Sequence, residues 1–397
     1  MALRIGNIAR GDDFFGRVRE MEDLWEYLEG NHITFTGARR LGKSSILARL
    51  VEQAAEKGWT ARLIDVEGID TAEAFIKILD REFPRSGLKD QTKGLSGKAA
   101  KALQRVKKIN LPVVGGGIDI ETLPETRWGK SAQVLQKRLG PAPVLLLIDE
   151  FSVFLSKLIA RDLREAELLL GWLRAWRQNG ESNCRFVFSG SVGINALLER
   201  HQLSTWLNDC YEYELGPFKT GAAIDMLTAL AKREGWALDE GLVEVICEKS
   251  GWLSPFYLNL LLDESIKAAR DRMLENHDGQ KQELIRSDVE DAYDRLLTLR
   301  SRFIHWYQRL RRDLDDGRYY FTLDILSHVA NAKAPMTKRQ LMARLAKSEP
   351  DERVRGERLS EGLAYLRENG YLGEDREGKV SFLSFLLRDY WRRNHAE

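Results

Sequence analysis

Short apolar runs alternate with stretches of helical period through the first part of the chain. The apolar runs are His32–Thr36, Thr60–Val66, Val144–Ile148, Arg185–Ser189 and Tyr211–Leu215, and each reads as a strand. Between them the spacing predicts helices at about Ser44–Lys57, Thr71–Phe83, Lys130–Leu139, Asp162–Gln178 and Asn195–Leu203. Strand and helix in alternation predict an α/β fold, a parallel sheet with helices on both faces. Val144–Ile148 is apolar without interruption, as a strand buried on both faces must be. The rhythm then changes. Residues 219–312 carry only helical period, at about Thr220–Glu234, Asp239–Lys249, Pro255–Arg270 and Ser287–Arg311. From Tyr319 the tail reads helix, helix, helix, hairpin, helix.

Composition adds bounds. The chain has 397 residues, 43% of them hydrophobic and 30% charged, with a net charge of +1. Its length leaves room for about two or three domains, and its charge balance carries no polyanion-binding signature. Cys184, Cys210 and Cys247 lie far apart with no metal-ligand spacing, so buried free thiols in a reducing compartment are expected. The opening stretch has no long apolar core, which predicts no signal peptide. Val144–Ile148 is the longest purely apolar stretch and is too short to span a bilayer. A cytoplasmic protein without a membrane partner is the expectation.

Residues 84–128 interrupt the α/β rhythm. Arg85, Lys89, Lys93, Lys98, Lys101, Arg105, Lys107 and Lys108 face Asp90 alone, loosened by Gly87, Gly94 and Gly97. A strand-like pair, Lys108–Val114 and Ile118–Thr122, follows around three glycines. Two readings stand: a solvated surface loop, or a basic contact over 85–108 for nucleic acid or an acidic partner.

The densest chemistry lies in His32–Leu50. A strand runs into Gly37-Ala-Arg-Arg-Leu-Gly-Lys-Ser44 and a helix follows at once. This is the G-x-x-x-x-G-K-S phosphate loop in its proper setting. The candidate nucleotide contacts are Gly37, Ala38, Arg39, Arg40, Leu41, Gly42, Lys43, Ser44 and Ser45. Glycines let the backbone turn its N–H groups inward toward an anion. Lys43 reaches the β- and γ-phosphates, Ser44 is placed to ligate Mg²⁺, and the helix aims its positive end at the phosphates.

Downstream, Val144–Glu150 is an apolar strand ending in two carboxylates. Asp149 would hold Mg²⁺ directly or through water, and Glu150 would act as general base on the attacking water. The strand Arg185–Ser189 runs into Gly190-Ser191. Strand ends beside a phosphate loop face the γ-phosphate in open α/β sheets, so Ser189 or Ser191 is a candidate sensor of that phosphate or positioner of water. Upstream, Phe15 and Arg17 would either pack on an adenine ring or form an ordinary helix cap with a hydrophobic staple.

Together these pieces resemble the AAA+/STAND class of P-loop ATPases, and within it the archaeal-type ATPase group. The resemblance rests on Phe14-Phe-Gly-Arg17, the GARRLGKSS loop, VLLLIDE, FVFSGS, Glu214-Leu-Gly-Pro-Phe218 and Gly251-Trp-Leu-Ser-Pro255, and covers about residues 12–275. It implies ATP and ADP as ligands with Mg²⁺, an adenine site that includes Phe15 and Arg17, and a helical lid near Trp252 and Pro255 that closes over the nucleotide. The group often carries G-G-x-P at the lid, from which Gly251–Pro255 departs. It often has a Gly-Arg pair before the strand leading to L-x-P-F, whereas Thr205–Tyr211 holds no arginine and Arg200 lies upstream. An arginine finger is worth about 10³–10⁵ in rate, so its absence predicts slow intrinsic hydrolysis.

The tail has a winged-helix layout. Tyr320–Ala330, Lys338–Ala346 and about Glu357–Glu368 are its helices, Lys379–Phe382 returns as a wing strand, and Leu383–Arg393 ends it. Arg353, Arg355, Arg358 and Arg367 lie on or near the candidate recognition helix, where they would contact phosphates or guanines. Glu357, Glu361 and Glu368 share that helix, so regulatory packing or a protein contact is the rival reading. Three domains are therefore expected: an ATPase core over 1–216 with the insertion 84–128, a helical lid with a connecting helix over 217–312, and a winged helix over 313–397. The expected function is an ATP-binding, slowly ATP-hydrolysing switch that couples nucleotide state to lid and winged-helix position. Two alternatives stand beside it: a DNA-binding ATPase that loads or initiates, and a stress or antiviral defence sensor that self-associates or recruits a protein partner.

Overall fold

The computed structural model describes residues 5–83, 126–190, 193–275 and 282–395, apart from the side chains of 196, 300 and 302. The basic stretch 85–108, the strand pair read over 108–122, and Ser191 lie outside the described residues. The chain divides into two compact units. One holds residues 19–36 and 43–214; the other holds the N-terminal segment to Val18, the loop Gly37–Gly42 and everything from Leu215 onward.

The first is a sheet unit. Strands β1 (His32–Thr36), β2 (Thr60–Asp65), β3 (Val144–Asp149), β4 (Arg185–Ser189) and β5 (Cys210–Glu214) form one sheet in the order β2-β3-β4-β1-β5. Every pairing is parallel. Register runs Thr60↔Val144 to Asp65↔Asp149, Leu145↔Arg185 to Ile148↔Phe188, and Ile33↔Val187 to Phe35↔Ser189. Parallel neighbours need crossover connections, here made by helices. Helix α1 (Val18–Gly30) precedes β1, and the connecting helices are α2 (Lys43–Ala54), α3 (Ala72–Glu82), α4 (Gly129–Leu139), α5 (Phe151–Arg161), α6 (Leu163–Arg177) and α7 (Ile194–Arg200). β3 is buried at every position, which is why it reads as an unbroken apolar run. Phe75, Phe151, Phe154, Trp172, Trp176, Phe186 and Phe188 fill one core beside it.

Helix α5 departs from the expectation, which had no helix between β3 and Asp162. Phe151, Phe154, Leu155, Leu158 and Ile159 are all buried, and this spacing is helical. Asp162 separates α5 from α6 and caps α6 by accepting from the Glu165 N–H at 3.0 Å.

The second unit is mainly helical. It contains α8 (Thr220–Arg233), α9 (Glu240–Ser250), α10 (Pro255–Glu275), α11 (Arg286–Thr298) and α12 (Arg300–Asp313). The single helix expected over Ser287–Arg311 is broken at Leu299, whose ψ of 83° is not helical. No glycine or proline marks this break in the sequence. Helices α13 (Asp316–Ala330), α14 (Lys338–Arg344), α15 (Glu352–Glu368) and α16 (Phe385–His395) follow, with strands β6 (Met336–Thr337), β7 (Leu372–Glu374) and β8 (Lys379–Phe382). These strands form an antiparallel sheet in the order β6-β8-β7. The expected order of this tail is helix, helix, helix, hairpin and helix; the structure keeps that order and adds β6 after the first helix. Thr337 and Gln340 close a capping box on α14, and Asp351 caps α15 one turn earlier than the apolar spacing suggested.

Within this unit the turn after α9 meets α16 closely. Gly251 has φ of +72°, and a Cβ there would lie 2.6 Å from the Phe385 ring. Only glycine fits both constraints.

Candidate nucleotide-binding site

In the sheet unit, strand order brings the candidate residues together. β4 lies between β1 and β3, so Ser189 at the end of β4 and Asp149 at the end of β3 are neighbours across the ladder. Helix α2 opens with Lys43 and Ser44. The Ser44 hydroxyl donates to Asp149 Oδ2 at 2.6 Å, and the Ser189 hydroxyl donates to Asp149 Oδ1 at 2.9 Å. Asp149, Ser189 and Lys43 are all buried, Ser189 completely. The carboxylate also accepts the Glu150 N–H at 3.0 Å. It thus collects donors on both oxygens.

Glu150 stands at the N-terminus of α5 with φ of 55° and ψ of 31°. A non-glycine residue in this left-handed region is uncommon and concentrates at functional turns. The turn lets the chain leave β3 and enter α5 without an intervening loop. At the neighbouring strand end, a Cβ on Gly190 would fall 2.5 Å from Ser152 Oγ, so β4 and the first turn of α5 approach as closely as backbone allows.

In the helical unit, the loop Gly37–Gly42 is held from several directions. A Cβ on Gly37 would lie 2.8 Å from the Leu215 carbonyl, which requires glycine there. Arg40 has φ of 71°. Arg17 is buried, and its Nη2 donates to the carbonyls of Leu41 at 3.1 Å and Gly216 at 3.0 Å. Its guanidinium sits 4.5 Å from the centre of the Phe218 ring. Arg17 therefore fastens the phosphate loop to the Leu215–Phe218 segment. Phe15 is half-buried nearby in the chain. Pro255 opens α10, and Ser254 just before it donates its hydroxyl to the Arg40 carbonyl at 2.6 Å. The Phe218 N–H donates to the Leu253 carbonyl at 2.9 Å. Gly216, Phe218 and Ser254 were visible beforehand only as members of family motifs. Their hold on the loop had no local signal.

The arginines of the tail are engaged within the fold. Arg353 pairs with Glu357 at 2.9 Å and Arg358 with Glu349 at 2.9 Å. Arg367 pairs with Glu374. Arg355 is buried and donates to the carbonyls of Glu349 at 2.6 Å and Pro350 at 3.1 Å. Trp306 on α12 is buried. All three cysteines are free thiols, and burial pushes Cys210 up to about 12 and Cys247 up to about 11. Among the described residues no His, Cys, Asp and Glu cluster forms a metal site of its own, and no helix is long and apolar enough to cross a membrane.

The comparisons with known proteins agree with this geometry. A Walker-type ATPase of Pyrococcus abyssi is similar over 99% of this chain and 100% of its own, at 19% identity and a TM-score of 0.60. The ORC2 protein of Aeropyrum pernix, solved in ADPNP and ADP complexes, is similar over 98% of both chains, at 13% identity and a TM-score of 0.54. At such identities these likenesses show the fold. A search of curated proteins returned no match. The sequence model described as novel STAND NTPase 1 matches residues 7–262. The family model's match over more than half of the chain decides the assignment: this chain belongs to the novel STAND NTPase 1 family.

Proposed function

We propose that this protein is an ATP-dependent molecular switch that binds Mg-ATP, hydrolyses it slowly, and transmits the state of the γ-phosphate to its helical unit. The observation that carries the reading is the meeting of Ser44, Asp149 and Ser189 beside a complete phosphate-loop sequence. A hydroxyl and a carboxylate are hard oxygen donors, the set that suits Mg²⁺. Bound there, the ion would neutralise charge on the β- and γ-phosphates. Lys43 would add one cationic contact to the phosphates, and the N–H groups of Gly37–Ser45 would cradle them. Glu150 would take the proton of the attacking water, and Ser189 would orient that water or the γ-phosphate. Phe15 and Pro255 would flank the adenine, with Arg17 acting through its hold on Leu41 and Gly216.

Slow turnover is favoured because Thr205–Tyr211 supplies no arginine to the transition state. Coupling to the helical unit is favoured because loop residues 37–42 and the segments 215–218 and 253–256 share hydrogen bonds. Such a switch would work in the cytoplasm, with a protein partner or a second copy of itself as its output. The DNA-binding alternative would draw on residues 85–108 or on the exposed Arg353 and half-buried Arg358 of α15, since Arg355 is buried and held by the Glu349 and Pro350 carbonyls.

Titration of the folded protein with a fluorescent ATP analogue and Mg²⁺ tests the reading. Binding is expected in the unmodified protein and severe weakening in Lys43→Ala. Equal binding by both, or none by the unmodified protein, would overturn it.

A further inference from the structure

The phosphate loop carries two adjacent arginines, and the general phosphate-loop pattern demands neither. One of them is held in an unusual way. Arg40 adopts φ of 71°, a backbone conformation that L-residues enter only under constraint. Its carbonyl accepts the Ser254 hydroxyl at 2.6 Å. Its guanidinium lies 4.2 Å from the centre of the Phe256 ring, at the start of α10. Its Nη2 donates to His305 Nε2, on α12, at 3.0 Å. Phe256 and His305 stand edge to face with ring centres 6.5 Å apart, and together they form a notch around the guanidinium. On the other side, a Cβ on Gly6 would fall 3.2 Å from Arg40 Nη1, so the N-terminal segment closes over the same group.

His305 must be a neutral imidazole for Nε2 to accept. Burial, followed by the charges of Arg40 and Arg39, lowers its pKa to about 4, which keeps it neutral across the physiological range. The contact is therefore a directed bond from a cation to a neutral acceptor, stronger than one between two neutral groups.

We propose that Arg40 is a positioning residue for nucleotide binding, clamped by Phe256 and His305 so that helices α10 and α12 set the shape of the phosphate loop. The proposal rests on the nucleotide-switch reading above and names the element through which the helical unit acts on the phosphates. Phosphate binding requires successive loop N–H groups to converge on one anion. A residue held at φ near +70° in mid-loop decides where those groups point. Clamping that residue by backbone and side chain together makes loop shape depend on α10 and α12. A movement of either helix releases Arg40 and loosens the cradle. Reciprocity follows, because a nucleotide that favours one loop shape favours one helix arrangement equally.

The test compares nucleotide affinity in the full chain, read by titration with fluorescent ADP and ATP analogues in Mg²⁺. The variants are Arg40→Ala, His305→Ala, His305→Gln and the pair Arg40→Ala with His305→Ala. Melting without nucleotide establishes that each is folded. Arg40→Ala is expected to weaken binding about tenfold, the scale of one charge-assisted contact. His305→Ala is expected to weaken it several-fold, while His305→Gln, which keeps an acceptor, restores most of the loss. The pair is expected to bind no worse than Arg40→Ala alone, because both changes break one link. Affinity within about twofold of the unmodified protein in Arg40→Ala, equal affinity in the Gln and Ala variants, or losses that multiply in the pair would overturn the proposal. Absence of binding in the unmodified protein would overturn the switch reading as well. Normal binding that is lost in Lys43→Ala yet untouched in the Arg40 and His305 variants would overturn the clamp alone.

Discussion

The Ser44 hydroxyl donates to Asp149 across 2.6 Å, joining the first turn of α2 to the end of β3. Two oxygen donors this close would supply adjacent ligand positions to a divalent cation. Asp149→Asn removes the charge and keeps the shape. Nucleotide affinity of the unmodified protein is expected to rise at least about tenfold when Mg²⁺ is added, and that gain should nearly vanish in the variant. Calorimetry with and without Mg²⁺ reads it. A full Mg²⁺ gain in Asp149→Asn would remove Asp149 from the metal assignment.

Glu150 occupies its left-handed turn at the mouth of the sheet, one residue beyond Asp149. If it accepts a proton from water, Glu150→Gln should bind ATP as before and lose turnover by about 10²–10⁴-fold. Phosphate release under saturating nucleotide is the measurement. Turnover at the unmodified rate would assign the base elsewhere.

Stability within the sheet unit depends on a buried ion pair. The Arg177 side chain is 0% exposed, and its guanidinium donates to both oxygens of Asp209, from Nε at 2.9 Å and from Nη2 at 2.8 Å. It also donates to the Trp206 carbonyl at 2.5 Å. Asp209→Ala leaves a desolvated cation with no counter-charge. The expected cost is about 3–5 kcal/mol in urea unfolding, because removing one partner is far worse than replacing both. A loss under about 1 kcal/mol would mean that water reaches Arg177.

Acid should weaken the same region. His32 is buried, its Nδ1 accepts the Phe186 N–H at 3.2 Å, and burial followed by the Arg177 charge lowers its pKa to about 4. The unfolded chain takes up this proton near pH 6.5, whereas the folded chain resists until about pH 4. Stability is therefore whole above about pH 6.5 and falls as pH drops toward 4, by up to about 3 kcal/mol from this group. His305, also lowered to about 4, adds to the fall in the same window. Urea midpoints measured from pH 7 to pH 5 should decline, and the decline should be shallower in His32→Gln. An equal slope in both proteins would show that His32 takes up its proton at the same pH in the folded and unfolded chain.

Much of this was legible in the primary structure because it is local. A glycine-spaced loop between a strand and a helix, and an apolar strand ending in two carboxylates, are written in consecutive residues. The five strands and the parallel sheet follow from the alternation of apolar runs with helical period. Local signals failed where they were ambiguous or missing. The strand end at Asp149-Glu150 was legible, but the helix Phe151–Arg161 that follows it at once was not assigned. Leu299 breaks a helix with neither glycine nor proline to announce it. For three of the α15 arginines the partners could not be read from the helix, because Glu349, Pro350 and Glu374 come from before it or beyond it, whereas Arg353 pairs with Glu357 one turn along.

The amino-acid order by itself determined that this chain carries a phosphate loop, a metal-ligating carboxylate candidate and a candidate base, because each needs only a few neighbouring residues of the right chemistry. Tertiary structure alone decided what surrounds them. It brought Ser44, Asp149 and Ser189 to one point through the strand order β3-β4-β1. It turned Arg17 onto the loop carbonyls and closed Phe256 and His305 around Arg40, across 216 and 265 positions of chain. Contacts at such separation are fixed by packing and by the demand that every buried charge find a partner, and no local pattern of residues encodes that demand.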